Sequence, residues 1–211
     1  MTKRSFFYGA MVPVCATAFV AAAGCRSNVA EPPEPNVQAE ADRAFRLIDL
    51  DNQRVELWPD HQVSATVCLF ARTDCPISNR YAPEIIRLYE AFHDLGVEFY
   101  LVYVDPDQKA EAIRTHLQEY SYPCRALRDP RHELVQLTGA TVTPEAAVFD
   151  AERRLAYRGR IDDLYVDFGK TRPRPTQHDL ADAIQAVLEG TAIAEPFTKA
   201  VGCYISDLND K

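Results

Sequence analysis

The feature that most constrains this chain is a strand-like run that leads into a cysteine and continues as an amphipathic helix. Residues 66–70 are apolar or β-branched, the sequence Cys75-Pro76-Ile77-Ser78 follows, and apolar residues recur at helical spacing from Ile85 to Phe92. Cys75 therefore lies at a predicted helix N-terminus, where unpaired backbone N–H groups and the helix dipole favour a thiolate over a thiol. Because the thiolate is the reactive species, the sequence predicts thiol chemistry at Cys75.

Strand-like and helix-like segments alternate along the rest of the chain. The pattern predicts a hairpin around residues 45–57, a buried strand over 97–104, helices near 110–117 and 134–137, a short strand over 122–127 and a hairpin of 147–149 with 155–158. Residues 161–175 are predicted to form a long loop, and Thr176 with Asp179 three residues later resembles a capping box that starts the last helix. Such alternation predicts an α/β sheet with helices on both faces.

Composition excludes several classes of function. The chain has 211 residues, of which 47% are hydrophobic and 26% charged, with a net charge of −8. These values are typical of a globular protein, and a nucleic-acid surface would need a basic excess instead. The sequence has no glycine-rich phosphate loop, no zinc-finger cysteine spacing and no haem-attachment motif. We expect neither a nucleic-acid partner, nor a cofactor, nor a metal, and the histidines, among them His116 and His178, are predicted to lie on helix surfaces or in loops.

The first residues have the layout of a secretory signal. Lys3 and Arg4 precede an apolar stretch over residues 6–23, which ends in Ala22-Ala23-Gly24-Cys25. These last four residues resemble the lipobox of bacterial lipoproteins. The resemblance implies that residues 1–24 are a signal peptide and that Cys25 carries a lipid that holds the protein on a membrane. An uncleaved membrane helix and a secretory signal that is cut elsewhere remain alternatives.

The same resemblance predicts a location and a tether. Arg26 follows the lipobox cysteine, which by known lipoprotein sorting implies the bacterial cell envelope and the periplasmic face of the outer membrane. Residues 25–42 contain three prolines among polar and small residues, a composition that favours an extended linker. The domain itself is predicted over residues 43–190, followed by a C-terminal tail over 191–211.

Four cysteines remain after the signal and the lipid site. In an oxidising compartment Cys68, Cys75, Cys124 and Cys203 could form two disulfides, one or none. Cys68 lies inside an apolar strand-like run and is predicted to be a core residue.

The residues around Cys75 match a known family. The segment 75–84 resembles the active-site helix of thioredoxin-like proteins, and specifically the branch of redoxins and membrane-anchored thiol–disulfide reductases. In that branch the motif is Cys-x-x-Cys with a proline five residues later; here Cys75 matches the first cysteine, Ser78 the second and Pro83 the proline. Residues 139–150 resemble the cis-proline strand of the branch, with Pro144 as the cis residue.

This resemblance implies a fold and an activity. The fold is thioredoxin-like, a central mixed sheet flanked by helices with the redoxin-type insertion. The activity is thiol–disulfide exchange with protein thiols and disulfides of the cell envelope. In the family, the backbone before the cis-proline pairs with an extended substrate segment while the motif cysteine attacks the substrate disulfide.

The departures from the family pattern qualify this activity. A serine cannot act as a resolving thiol, so another thiol would have to resolve the mixed disulfide. The candidates are Cys124, an external thiol, and Cys203, which lies in a tail that could fold back over the site. Ser78 is instead expected to hydrogen-bond the Cys75 sulfur. Asp74 replaces the usual tryptophan and opposes thiolate formation, which Arg72 or Arg80 could offset.

Two other functions stay open at this point. A binding or assembly module could keep the fold without turnover. A weak thiol peroxidase is also possible, although the places of the peroxiredoxin pattern Pro-x-x-x-Thr-x-x-Cys hold Cys68 and Arg72.

Overall fold

The structure is a computed structural model that describes residues 47–58 and 63–205. The predicted signal peptide (1–24), the tether (25–42) with the lipid site Cys25, and the last tail residues, 206–211, lie outside the described residues. In the part that is described, no helix combines the length and the apolar character needed to cross a membrane.

The described chain contains eleven strands and five helices. The strands are β1 (Leu47–Ile48), β2 (Arg54–Val55), β3 (Ala65–Ala71), β4 (Val97–Tyr103), β5 (Arg125–Arg128), β6 (Val142–Thr143), β7 (Glu145–Asp150), β8 (Leu155–Gly159), β9 (Tyr165–Asp167), β10 (Lys170–Thr171) and β11 (Cys203–Tyr204). The helices are α1 (Pro76–Arg80), α2 (Ala82–Phe92), α3 (Ala110–Glu119), α4 (Glu133–Thr138) and α5 (Asp179–Glu189), with a 3₁₀ turn over His93–Leu95.

Seven strands form one mixed sheet in the order β2-β1-β5-β4-β3-β7-β8. Strands β3, β4 and β5 run parallel, and the remaining neighbours are antiparallel. All seven residues of β3 are buried, which explains why its sequence is apolar except for Thr66, since a strand covered on both faces needs no polar alternation. The predicted mixed sheet is confirmed, and its central strand leads directly to Cys75.

Helices cover both faces of this sheet. On one face Val67 and Leu69 pack in a cluster with side chains of α2 and α5, among them Leu88 and Ile184. On the other face Cys68 and Phe70 pack in a second cluster with residues of α4. Burial of these apolar side chains, worth about 1.5–3 kcal/mol each, fixes the end of β3 and thus the position of the loop that carries Cys75.

Two local predictions were wrong. Residues 161–175 are not simply a loop, because they contain the β9–β10 hairpin. The last helix begins at Asp179, after His178, and Thr176 is not its cap. The backbone N–H and the hydroxyl of Thr176 both donate to the buried carboxylate of Asp163, at 2.6 Å each. A buried carboxylate needs such donors, and this need outweighs local capping.

His116 also differs from the prediction. It lies on α3 but is only 3% exposed, so it is a core residue and not a surface histidine. Both ring nitrogens have partners, the Tyr103 hydroxyl at 2.8 Å and the Asn79 side-chain oxygen at 2.9 Å. A polar ring can be buried when its donor and acceptor are both satisfied.

Candidate active site at Cys75 and the C-terminal strand

Cys75 lies between the end of β3 and the start of α1. It is the N-cap residue of α1, and Pro76 occupies the first helical position. Proline fits there because the N–H group that it lacks would have no partner within the helix. The Asn79 N–H donates to the Cys75 carbonyl oxygen at 3.0 Å and so begins the helix. Cys75 is only 1% exposed, so the nucleophile predicted from the sequence is covered by other parts of the chain.

The C-terminal tail provides that cover. Strand β11 pairs antiparallel with β6, with Cys203 opposite Thr143 and Tyr204 opposite Val142. The Ile205 N–H donates to the Thr141 carbonyl oxygen at 3.0 Å and extends this pairing. The tail therefore occupies the edge that, by family resemblance, pairs with an extended substrate segment.

The pairing brings two sulfur atoms together. Cys75 Sγ lies 2.7 Å from Cys203 Sγ and 3.0 Å from the Thr143 carbonyl oxygen. The Thr143–Pro144 peptide is cis, as the resemblance implied. Both cysteines are free thiols, and a disulfide bond of about 2.05 Å requires only a small further approach of the two sulfurs. The arrangement is therefore suited to reversible disulfide formation.

The two thiols ionise differently. Burial opposes ionisation of Cys75, but donors from Cys203 and Ser78 outweigh it and lower the pKa of the Cys75 thiol. Burial and the neighbouring Cys75 raise the pKa of Cys203 to about 12. The first proton is therefore lost from Cys75, while Cys203 keeps its proton and donates it to the thiolate.

Ser78 lies one helical turn after Cys75 and is 2% exposed. Within the described residues its hydroxyl has no hydrogen-bond partner, so the predicted bond to the Cys75 sulfur is not present in the structure. The Ser78 hydroxyl and backbone N–H nevertheless favour the charged sulfur and lower the pKa of Cys75. A buried hydroxyl without a partner is a free donor, and a nearby thiolate is an acceptor for it.

The charge of Asp74 is neutralised by Arg72. The Arg72 guanidinium donates to both carboxylate oxygens of Asp74 at 3.0 Å and lies 3.4 Å from Asp105. This fork-like pair lowers the pKa of Asp74, with the Arg72 hydrogen bond as the main cause. Of the two arginines proposed from the sequence, the structure places Arg72 in this role. The carboxylate that was expected to oppose a thiolate is thus held by its own cation.

A partly buried chain of polar side chains supports the loop before Cys75, and the sequence did not indicate it. The Asn79 side chain donates to the Thr73 carbonyl oxygen at 3.0 Å and accepts from His116 at 2.9 Å. Gln108 donates to the Thr73 hydroxyl. The sequence offered one signal, an asparagine in the first turn after the cysteine, but not its partner from a helix 37 residues away.

The tail is held at a second place, which the sequence also did not indicate. The Arg158 N–H donates to the Pro196 carbonyl oxygen at 2.9 Å, and the Thr198 N–H donates to the Arg158 carbonyl oxygen at 3.1 Å. The Thr198 hydroxyl lies 2.6 Å from the Tyr157 hydroxyl. The tail therefore follows β8 before it crosses to β6, and Cys203 is only five residues beyond a fixed point.

Cys124 lies elsewhere in the molecule. It directly precedes Arg125, which pairs with Tyr100, and Tyr100 pairs with Cys68. Cys68 is three residues before the end of β3, so Cys124 is about 10 Å or more back along the sheet from the Cys75 end. Burial raises the pKa of the Cys124 thiol to about 12. The structure brings Cys75, Ser78, Pro144 and Cys203 together but not Cys124.

One group of potential metal ligands lies outside this site. Ligand atoms of Glu84, Asp162 and His178 are within 4.8 Å of one another. Arg87 already bonds the Glu84 carboxylate, and the Tyr81 hydroxyl donates to Asp162 at 2.6 Å. Partners within the chain account for both carboxylates, so we assign no metal to this group.

Comparisons with solved structures agree with the fold. An uncharacterised conserved protein from Geobacillus kaustophilus is 27% identical with a TM-score of 0.67, and the match covers 76% of this chain and 87% of that one. A hypothetical protein from Sinorhizobium meliloti is 25% identical with a TM-score of 0.66, over 77% of this chain and 91% of its own. A thioredoxin-like protein from Aeropyrum pernix is 15% identical with a TM-score of 0.52, over 74% and 92%, and shares the fold.

The search of curated proteins finds no match. The profile of the AhpC/TSA family, in contrast, matches residues 37–158, more than half of the chain and including Cys75, Ser78 and Pro144. This match supports the expectation that the chain is a thiol–disulfide oxidoreductase of the redoxin type. By its sequence, by the mixed sheet flanked by helices and by the cysteine placed beside a cis-proline, the chain belongs to the AhpC/TSA family.

Proposed function

We propose that this protein carries out thiol–disulfide exchange through the pair Cys75 and Cys203, with Cys75 as the nucleophile and Cys203 as the resolving thiol. The observation that carries the proposal is the 2.7 Å separation of the two sulfurs. The pairing of β11 with β6 supports it, because it places Cys203 at the one edge next to the cis-proline. Cys203 thus supplies the second sulfur that Ser78 cannot.

The reaction follows from these positions. The Cys75 thiolate attacks one sulfur of a substrate disulfide, which forms a mixed disulfide on Cys75 and releases the first substrate thiolate. Cys203 then loses its proton and attacks the Cys75 sulfur, which releases the second substrate thiolate and forms the Cys75–Cys203 bond. The substrate gains two electrons and the protein loses two. An external dithiol returns the protein to its reduced form.

Variants of the cysteines test this cycle. Reduction of a test disulfide by the full chain should stop in Cys75→Ser, and Cys203→Ser should accumulate a mixed disulfide on Cys75 that mass spectrometry detects. Cys124→Ala is the matched control, since Cys124 lies away from the site, and it should keep the wild-type rate. An unchanged rate in Cys75→Ser would contradict the proposal and favour a binding module that does not turn over.

Peroxide is a second candidate substrate because a sulfenic acid on Cys75 would lie beside Cys203. Attack of the Cys75 thiolate on hydrogen peroxide gives the sulfenic acid and hydroxide, which takes up a proton from solvent, and the Cys203 thiol then displaces the sulfenic oxygen as water and forms the disulfide. Arg72 occupies the place of the peroxiredoxin threonine and is paired with Asp74, which favours disulfide exchange as the main activity. Peroxide consumption that depends on Cys75 and is faster than disulfide reduction would reverse this order.

We also propose that the domain is lipid-anchored in the cell envelope through Cys25. The proposal is supported by the residues 22–25 and by the redox chemistry of the site, since disulfides persist in oxidising compartments. Cys25→Ala should move the protein from the membrane fraction to the soluble fraction of a cell lysate. A variant that stays in the membrane fraction would point instead to an uncleaved helix.

A further inference from the structure

The tail is bound in the place of a substrate segment, so its residues describe what that place accepts. Strand β11 is extended, antiparallel to β6, and carries a cysteine whose sulfur lies next to the nucleophile. These are the three properties that a polypeptide substrate of Cys75 needs. Each position of the tail next to Cys203 therefore reports the space available to the corresponding substrate residue.

The position before the cysteine has no room for a side chain. Gly202 is buried against β6, and a Cβ atom placed on it would lie 2.2 Å from the Thr143 carbonyl oxygen and 2.6 Å from the carbonyl carbon. Both atoms belong to the backbone next to the cis-proline, which cannot rotate away as a side chain would. The Gly202 backbone itself requires no unusual φ, so the constraint is the close approach alone.

The two positions after the cysteine differ from each other. Tyr204 is 80% exposed, so the residue directly after the cysteine points to solvent and is unconstrained. Ile205 is buried and packs in the cluster that contains Leu134 and Phe149. The alternation follows from strand geometry, in which successive side chains point to opposite sides.

We propose that the preferred substrate of Cys75 is an extended polypeptide disulfide in which glycine directly precedes the attacked cysteine and an aliphatic residue follows two positions later. The proposal rests on the proposed function, because it names the substrate class of the same site. A bound substrate takes the place of β11, and the tail returns with Cys203 when the mixed disulfide is resolved. The segment Val201 to Ile205 is thus a copy of the substrate within the chain.

Short peptides test this specificity on the full-length protein. The probe is the peptide Val-Gly-Cys-Tyr-Ile with its cysteine joined to 2-nitro-5-thiobenzoate, and attack by Cys75 on the peptide sulfur releases the coloured thiolate. Variants of the peptide change glycine to alanine, isoleucine to serine, or tyrosine to serine. Because all peptides have to displace the same tail, that cost cancels from the ratio of their kcat/KM values.

The alanine peptide should lose at least tenfold in kcat/KM and the isoleucine-to-serine peptide several-fold, while the tyrosine-to-serine peptide should react like the parent. Alanine and glycine peptides that agree within twofold would overturn the proposal. Loss of the reduction of an unrelated test disulfide in the Cys75→Ser protein shows separately whether the proposed exchange activity stands. The inference on specificity can thus fail while the function holds.

Discussion

Replacement of Gly202 by alanine should separate the tail from its strand and weaken the disulfide between Cys75 and Cys203. The new Cβ would lie 2.2 Å from the Thr143 carbonyl oxygen, so the tail has to withdraw by about 1.2 Å to reach an ordinary contact. The bond from the Ile205 N–H to the Thr141 carbonyl oxygen, now 3.0 Å long, would then exceed hydrogen-bond range. The short β6–β11 ladder would be lost with it.

The size of the effect follows from these bonds. Loss of roughly two or three hydrogen bonds at about 1 kcal/mol each weakens tail docking by about 2–3 kcal/mol. Since every 1.4 kcal/mol is tenfold, the equilibrium constant for closing the disulfide should fall roughly 30- to 150-fold. The fall reflects a lower effective concentration of Cys203 at Cys75, not a change in the chemistry of either sulfur.

The assay is the dithiol–disulfide equilibrium in glutathione buffers, measured by alkylation and mass spectrometry. Gly169→Ala is the matched control, because nothing lies within 4 Å of the Cβ at that position in the β9–β10 turn. It should strain its own turn, where φ is +73°, and leave the equilibrium unchanged. A Gly202→Ala protein whose equilibrium stays within threefold of wild type would refute the reasoning that the tail reaches Cys75 by close backbone pairing.

Three further changes test the surroundings of the site. Ser78→Ala should raise the pKa of Cys75 and slow its alkylation near neutral pH, as followed by iodoacetamide kinetics across pH; an unmoved pH profile would contradict a role of the Ser78 hydroxyl in stabilising the thiolate. Tyr157→Phe should remove the hydrogen bonds to Thr198 and to the Arg160 carbonyl oxygen. The equilibrium constant of the Cys75–Cys203 disulfide should then fall a few-fold, because a hydrogen bond contributes about 1 kcal/mol. An effect larger than that of Gly202→Ala would mean that the contacts of Thr198, and not the pairing of β11 with β6, dominate docking of the tail. Burial lowers the pKa of His116 below 6.5, so the folded state binds fewer protons than the unfolded state. The contribution of neutral His116 to stability is therefore complete above pH 6.5 and should be lost as the pH falls from there through the lower folded-state pKa. Urea unfolding at pH 8 and pH 5 measures this loss as a difference in the free energy of unfolding. The difference should persist in His93→Gln, a control at an exposed site, and shrink in His116→Phe. Equal pH dependence in both variants would assign the effect to other groups.

The sheet and the position of Cys75 could be predicted from the sequence because both depend on local patterns. Strands β3 and β4 were predicted from runs that are apolar except for Thr66 and Glu98, and α2 was predicted from the helical spacing of apolar residues after Cys75. The cis state of Pro144 was implied by the resemblance of residues 139–150 to the cis-proline strand of the redoxin branch. Each of these features is encoded in a few consecutive residues, and tertiary contacts only reinforce it.

The parts that were missed depend on contacts between distant segments. His116 lies 37 residues from Asn79, and its burial is visible only when α3 is packed over α1. The β11 strand has two residues, far too few for a periodic pattern, and pairs with residues 60 positions earlier. The sequence around Thr176 is typical of a helix cap, but in the structure Thr176 donates its hydrogen bonds to the carboxylate of Asp163, 13 residues earlier. One local signal was available for the tail, since glycine directly before a cysteine suggests close approach of the backbone.

In the proposed cycle, Cys203 lies on the tail and not on the helix of Cys75, so resolution of the mixed disulfide depends on docking of the tail. In a Cys-x-x-Cys motif the second thiol stays beside the first whatever the substrate does. In the proposed cycle, the substrate and Cys203 need the same edge, Val142–Thr143, so resolution requires that the substrate segment leaves this edge while its sulfur is still bound to Cys75. The hydrogen bond of Thr198 to β8 leaves only five residues from Thr198 to Cys203, and so short a connection gives Cys203 a high effective concentration at Cys75. A substrate that pairs weakly with β6 is therefore released quickly, whereas one that pairs as well as the tail delays its own release.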